Sequence, residues 1–190
     1  EAPVSSIWPE FGAAGKGDLP VSWAISHRAG LASVDNPPSL EEVLAVTPIV
    51  EAIADQVPLW ELDGSHGYHA ITYGWIAAEI LRRVTGIRMN DWLQTNVVEP
   101  LGVEFHMGLP ESEHARVAPI RNSASSVDPE RLALMMSLIG PGTMGGRALS
   151  LDGRFSFSGE NTFNRGDVWS SEIPGVAGIT NARSLATIYG

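Results

Sequence analysis

The chain has 190 residues, 44% of them hydrophobic and 18% charged, the balance of a globular domain large enough to build its own core. Its net charge of −10, from 22 acidic and 12 basic residues, argues against a nucleic-acid partner and against anionic lipid surfaces, both of which need a basic face. Cysteine is absent, which excludes disulfides and thiolate metal sites, and no run of about eighteen apolar residues predicts a membrane span.

Residues Glu1 to Pro20 are rich in Gly, Pro and Ala and predict irregular chain anchored by Trp8 and Phe11. Val21 to Ile25 predicts a short turn or helix, and Ser26 to Leu31 a loop in which Gly30 supplies a positive φ. After the breaker Val34 to Pro38, Ser39 opens a helix, with Glu42 completing a capping box. Pro48 is expected to split that helix. Pro58 to Gly67 reads as irregular, with Trp60 buried and Asp63-Gly64 a turn.

The strongest helical periodicity runs from about Ala70 to Val84, with Trp75, Ile76, Ile80 and Val84 on one face and Gly86 as its stop. Glu79 is expected to pair with Arg82 or Arg83 on the exposed side. A second helix follows over about Asn90 to Val98, with Trp92, Leu93 and Val97 inward, and Pro100-Leu101-Gly102 ends it. Val103 to Ser126 predicts mostly loop, Pro129 to Ile139 a helix, and Thr143 to Ile179 mostly coil. Thr180 or Asn181 caps a last helix from Ala182 to Tyr189. No run alternates convincingly enough to predict a strand.

The segment Gly64-Ser65-His66-Gly67-Tyr68-His69-Ala70-Ile71-Thr72-Tyr73-Gly74-Trp75 carries the chemistry. A phenol ahead of a long amphipathic helix sits at the positive end of the helix dipole, a placement that suits a tyrosine acting as a base. His66 and His69 have metal-ligand spacing, but a site would need His106, His114 or a carboxylate as well. No metal is therefore expected, and His69 is read as lining a cleft. Ser26 and His27 are adjacent, which seldom lets both side chains meet one point, so their loop is read as structural. Thr143-Met144-Gly145-Gly146 is followed by no lysine, which argues against a nucleotide loop.

This segment resembles the Tyr-x-Asn region of class C β-lactamases and family VIII carboxylesterases. Tyr68, with Tyr73 and Gly74 following, fits the spacing of that group, and Thr85-Gly86 fits the end of its helix. Ser26-His27-Arg28-Ala29-Gly30-Leu31 is similar to the group's Ser-His-x-Ser-Gly-Leu loop, and Pro100-Leu101-Gly102 to its Pro-Leu-Gly turn. Pro174 to Leu185 is similar to its segment below the active site. The ordered set covers nearly the whole chain.

The resemblance implies an α+β fold of the serine β-lactamase/DD-peptidase type. Residues 1–190 would be a partial domain of it, mainly the helical region with long loops, with most of the antiparallel sheet missing. It implies a serine hydrolase that acts through an acyl-serine, with Tyr68 part of the general base and a small-molecule ester as substrate. His69, Ala70, Trp60 and Trp169 are the residues expected at the substrate. No cofactor is implied, and the oligomeric state stays open. The compartment stays open too, with the cytoplasm favoured.

The chain departs from the group's pattern. Its one lysine, Lys16, has Ala13 three residues before it, so Ser-x-x-Lys does not occur, and the Lys-Thr-Gly or His-Thr-Gly motif is absent. Ala70 stands where Asn is usual, which points to the esterase side of the group. The expectation is an incomplete, inactive piece of an esterase. The alternative is a catalytically inactive binding or interaction module.

Overall fold

The computed structural model describes residues 2–121, 128–157 and 160–190. Short 3-10 helices at Val4–Ser6 and Pro9–Gly12 set Trp8 and Phe11 into the core, with their ring centroids 5.0 Å apart. Helix α1 (Val21–Ala24) leads into the Ser26–Leu31 loop. Ser39 caps α2 (Leu40–Leu44) through the full capping box with Glu42. A break at Val46, which holds a φ of 69°, separates it from α3 (Thr47–Asp55), and Pro48 occupies the first turn of α3, where its missing N–H leaves nothing unpaired.

Helix α4 (Thr72–Thr85) buries Trp75 and Ile76 and ends at Gly86 in the left-handed conformation. Two expectations change here. Val84 is exposed, because the apolar face of α4 leaves the core before its last turn. Glu79 does bind Arg82 and Arg83, at 2.7 and 2.6 Å, but it lies inside the protein and not on the surface. Burial alone would push its pKa up; the two guanidinium groups outweigh that and hold it below the usual carboxylate value.

The second helix is composite: α5 (Met89–Leu93), a π-turn over Gln94–Val98, and α6 (Glu99–Leu101) capped by left-handed Gly102. The π-turn rotates the register, so Val98 takes the buried place expected of Val97. Strand β1 (Phe105–His106) follows, then a 3-10 helix at Glu111–Arg116. The expected loop's residues 122–126 lie outside the described residues. Helix α7 (Pro129–Ile139) has the expected bounds, with Asp128 as its cap, and all its residues are exposed, including Leu132, Leu134 and Leu138.

The stretch expected to be coil contains α8 (Met144–Ser150) and α9 (Gly166–Ser170). Thr143 caps α8 by accepting the Gly146 N–H. Gly145 and Gly146 are there for closeness, not flexibility: a Cβ on either would stand within 2.4 Å of a backbone oxygen at the end of α7. Strand β2 (Ile179–Thr180) pairs antiparallel with β1, Phe105 opposite Thr180 and His106 opposite Ile179, a ladder too short to show alternation in the sequence. Helix α10 (Ala182–Tyr189) is capped by Asn181. One core joins Val4, Trp8, Phe11, Leu31, Ile49 and Ile53 to Trp75 and Ile76, and to Leu151, Phe155, Val168 and Ile173. Among the described residues no helix is long and apolar enough to cross a membrane.

Candidate active site

Tyr68 lies on a segment tied to the Ser26–Leu31 loop. Gly30, at φ 69°, lets the loop close on Pro58, to which a Cβ would come within 2.8 Å, and its carbonyl accepts the Leu59 N–H at 2.7 Å. His27 adopts φ 64°, a left-handed conformation unusual outside glycine. From there its carbonyl accepts the Gly67 N–H at 3.0 Å, and its Nδ1 accepts the His69 N–H at 3.2 Å. Its ring packs edge-on to Tyr68, with centroids 5.1 Å apart, and also meets Tyr73 and His69. Burial, with His66 second, holds the His27 pKa below the usual histidine value, which keeps Nδ1 free to accept.

His69 is 0% exposed. Its Nε2 accepts the Leu31 N–H at 2.9 Å, and its Nδ1 lies 2.6 Å from the Gly67 carbonyl, so the neutral ring carries its proton on Nδ1. The expected cleft-lining role is therefore corrected: the side chain bonds backbone at both nitrogens and supports the site from beneath. Burial pushes its pKa from 6.5 down to about 4, with His27 adding to the effect and the Gly67 carbonyl opposing it.

A stability prediction follows with a definite sign. Above the unfolded value of 6.5 both states are neutral at this position. Below it the unfolded chain takes up a proton that folded His69 refuses until about pH 4. Stability therefore falls on acidification through this window, by about 3 kcal/mol from this residue. His69→Gln keeps an acceptor for Leu31 and cannot titrate. Urea unfolding of the whole protein at pH 7 and pH 4.5 is expected to show a shallower acid loss in the variant, and equal slopes would refute the assignment.

Tyr68 itself is 66% exposed. Helix α4 begins only at Thr72, so the loop, not the helix end, presents the phenol, and the expected dipole placement does not hold. Thr72 ties the helix start to the loop by donating to the Leu31 carbonyl at 2.6 Å. Ala70 faces inward and is buried, so its methyl belongs to the core and not to a ligand surface. Trp60 is half-buried; its ring lies edge-on to His69 and against Gly67, where a Cβ would come within 2.9 Å. Trp169 sits apart, in α9, with Nε1 donating to the Phe163 carbonyl at 2.7 Å and its ring against His114. The structure thus gathers Tyr68, His69 and Trp60 and leaves Trp169 elsewhere.

Sequence reasoning missed the environment of Lys16. It is wholly buried, its Nζ donating to the carbonyls of Gln56 at 2.6 Å and Ala13 at 3.0 Å over the Phe11 ring. Desolvation, opposed by Asp55, lowers its pKa to about 8. These bonds make it a strut between two loops. Glu172 was missed as well: it is buried, takes Arg88 at 2.5 Å and accepts the Asn90 N–H at 3.1 Å, fixing the start of α5. A cavity of about 690 Å³ opens between α3, α4 and residues 170–174, and Tyr68 is not among its lining residues. Among the described residues, no group of three or more His, Asp and Glu side chains is placed to hold a metal ion.

Comparisons with known proteins concern the chain as a whole. The chain is 33% identical to the esterase/beta-lactamase LipL of Mycobacterium tuberculosis over 198 residues, covering all of this chain and 44% of that protein. Among solved structures it is similar to EstA of Arthrobacter nitroguajacolicus Rue61a, with a TM-score of 0.77 and 32% identity over 100% of this chain and 48% of the other. A penicillin-binding protein homologue of Caulobacter crescentus gives a TM-score of 0.76 and 32% identity, over 97% of this chain and 46% of the other. A family VIII carboxylesterase gives 0.80 and 27%, over 99% of this chain and 47% of the other. The chain spans about half the length of these relatives. The β-lactamase family model matches residues 1–190, and the chain belongs to the β-lactamase family.

Proposed function

We propose that this chain is the tyrosine-bearing part of a serine hydrolase that cleaves small carboxylic esters, with Tyr68 in its general base. The observation that carries the reading is an exposed phenol on a backbone segment fixed from both sides, within a chain of this family. The names of its relatives, an esterase/beta-lactamase and a family VIII carboxylesterase, support the ester as substrate class.

In the proposed reaction a serine of a Ser-x-x-Lys motif, carried by another part of the whole protein, attacks the ester carbonyl. Its Oγ forms the new C–O bond while its proton passes to the pair of Tyr68 and the motif lysine. That pair then protonates the alkoxide leaving group as the old C–O bond breaks. Water adds to the acyl-serine, the same base takes the water's proton, and the acid departs as the serine is restored. Backbone N–H groups hold the oxyanion in both halves. Ala70 puts no side-chain amide behind the tyrosine, which favours an ester over a lactam.

A covalent fluorophosphonate probe tests the reading. The whole protein is expected to be labelled at a serine outside residues 1–190 and to hydrolyse a nitrophenyl ester, and the isolated chain to do neither. Saturable turnover by the isolated chain would overturn the assignment of the nucleophile. Absence of labelling in folded whole protein would favour an inactive binding module.

A further inference from the structure

We infer that His27 is a positioning residue for Tyr68: it grips the backbone on both sides of the tyrosine, through its carbonyl and its Nδ1, and braces the tyrosine ring with its own. The inference rests on the reading of Tyr68 as part of the base. It concerns a residue that touches no reacting atom and that the sequence alone makes merely part of a loop.

The geometry is specific. Tyr68 lies between two amides, those of Gly67 and His69, and both donate to His27, at 3.0 Å to its carbonyl and 3.2 Å to its ring nitrogen. Two bonds from one residue to the amides flanking a third fix the backbone that aims the side chain. The tyrosine ring, otherwise 66% exposed, has the His27 ring edge-on at 5.1 Å. The clamp is itself held, since the rings of Tyr73 and His69 pack against His27 with centroids 4.8 and 5.6 Å away. His27 makes both bonds from φ 64°, a left-handed conformation that is strained for a residue with a side chain. A residue needed only to continue the loop would be glycine there; a histidine keeps the strain and supplies the acceptor and the ring.

Positioning matters because a base must meet its proton within hydrogen-bond reach, and a displacement of about 1 Å can lower turnover about 100-fold. An exposed tyrosine on an untethered loop would occupy several rotamers, few of them productive.

Two substitutions in the whole protein separate positioning from folding. His27→Gly suits the positive φ and keeps the carbonyl, so it removes only the ring and Nδ1. His27→Asn also tolerates that φ and carries an amide oxygen where Nδ1 stood. Ester kinetics and amide hydrogen exchange at Gly67 and His69 are measured on both. His27→Gly is expected to lower kcat about 10- to 100-fold with KM within about threefold, and to speed exchange at His69 while α4 keeps its protection. His27→Asn is expected to restore the His69 protection and most of kcat.

Where Tyr68→Phe lowers kcat, a folded His27→Gly protein with kcat within twofold of the parent overturns the proposal; unchanged exchange at His69 overturns it in every case. If His27→Gly does not fold, His27→Asn decides: loss of kcat in a folded protein with His69 protected overturns the proposal. The exchange measurement needs no turnover. If Tyr68 proves dispensable while His69 exchange still follows His27, the catalytic reading fails and the clamp stands.

Discussion

Replacing Tyr68 with phenylalanine in the whole protein is expected to lower kcat for a nitrophenyl ester about 10²- to 10⁴-fold, the range for loss of a general base. The substitution deletes one oxygen from a residue that is 66% exposed, so no core contact goes with it. The ring that meets His27 edge-on remains, and the backbone bonds on either side do not involve the side chain. The melting temperature is therefore expected to stay within about 2 °C, no more than 1 kcal/mol produces in a domain of this size. Tyr73→Phe is the control. Tyr73 also packs against His27, but it is half-buried in the first turn of α4, and its loss of hydroxyl is expected to change kcat by less than about fivefold. Equal effects at the two positions would mean that the ring cluster matters as a whole and that Tyr68 is not the base. A rise in KM at constant kcat for Tyr68→Phe would make the tyrosine a binding group instead.

The sequence was legible where a signal is local. Ser39 with Glu42, Asp128 before Pro129, Gly86 after Thr85 and Asn181 before Ala182 each satisfy orphan groups of the helix they adjoin, so the pattern can be read within a few residues. Helices α8 and α9 were hidden because their glycines answer to atoms outside the helix, Gly145 and Gly146 to the end of α7 and Gly166 to the His114 ring. Gly145 and Gly146 read as coil until the end of α7 is placed against them. The ladder between Phe105–His106 and Ile179–Thr180 joins segments far apart in sequence and is too short to leave a period. The site divides in the same way. Tyr68 is proposed from its motif. The work of His27 and His69 was not legible, because a ring nitrogen accepting a backbone N–H from a loop some forty residues away leaves no trace in either stretch. Position beside Tyr68 made His69 read as lining a cleft, when it is a buried acceptor tied to the chain beside it.

Gly74→Ala is expected to be the most damaging single-methyl change in the region. Helix propensity argues the other way, since alanine in place of glycine inside a helix gains about 1 kcal/mol. Close approach decides the sign. A Cβ at Gly74 would stand 2.0 Å from the Gly175 nitrogen and 2.6 Å from both the Gly175 Cα and the Pro174 carbonyl carbon. All three are backbone atoms with no rotamer to retreat into. Gly175 answers in kind, its own Cβ position lying 2.6 Å from the Ile71 oxygen. Two glycines thus let residues 174–175 lie directly on the first turn of α4. To admit the methyl, that turn must lift, which draws Ile173 and Ala177 out of the core they share with Ile71 and Trp75. The expected loss is about 3 kcal/mol or more, the range for overpacking that forces backbone shifts. Gly86→Ala supplies the scale: Gly86 has φ 75° but nothing within 4 Å of its Cβ position, so it loses only the left-handed preference, about 1 kcal/mol. Urea unfolding of the two variants in the whole protein should rank Gly74→Ala well below Gly86→Ala, and the opposite order would deny the contact. Because α4 is tied through Thr72 to the Leu31 carbonyl, a lifted turn would also loosen the loop that holds His27, and Tyr68 with it. The glycine that follows the second tyrosine of the motif therefore serves the site by letting two backbones touch.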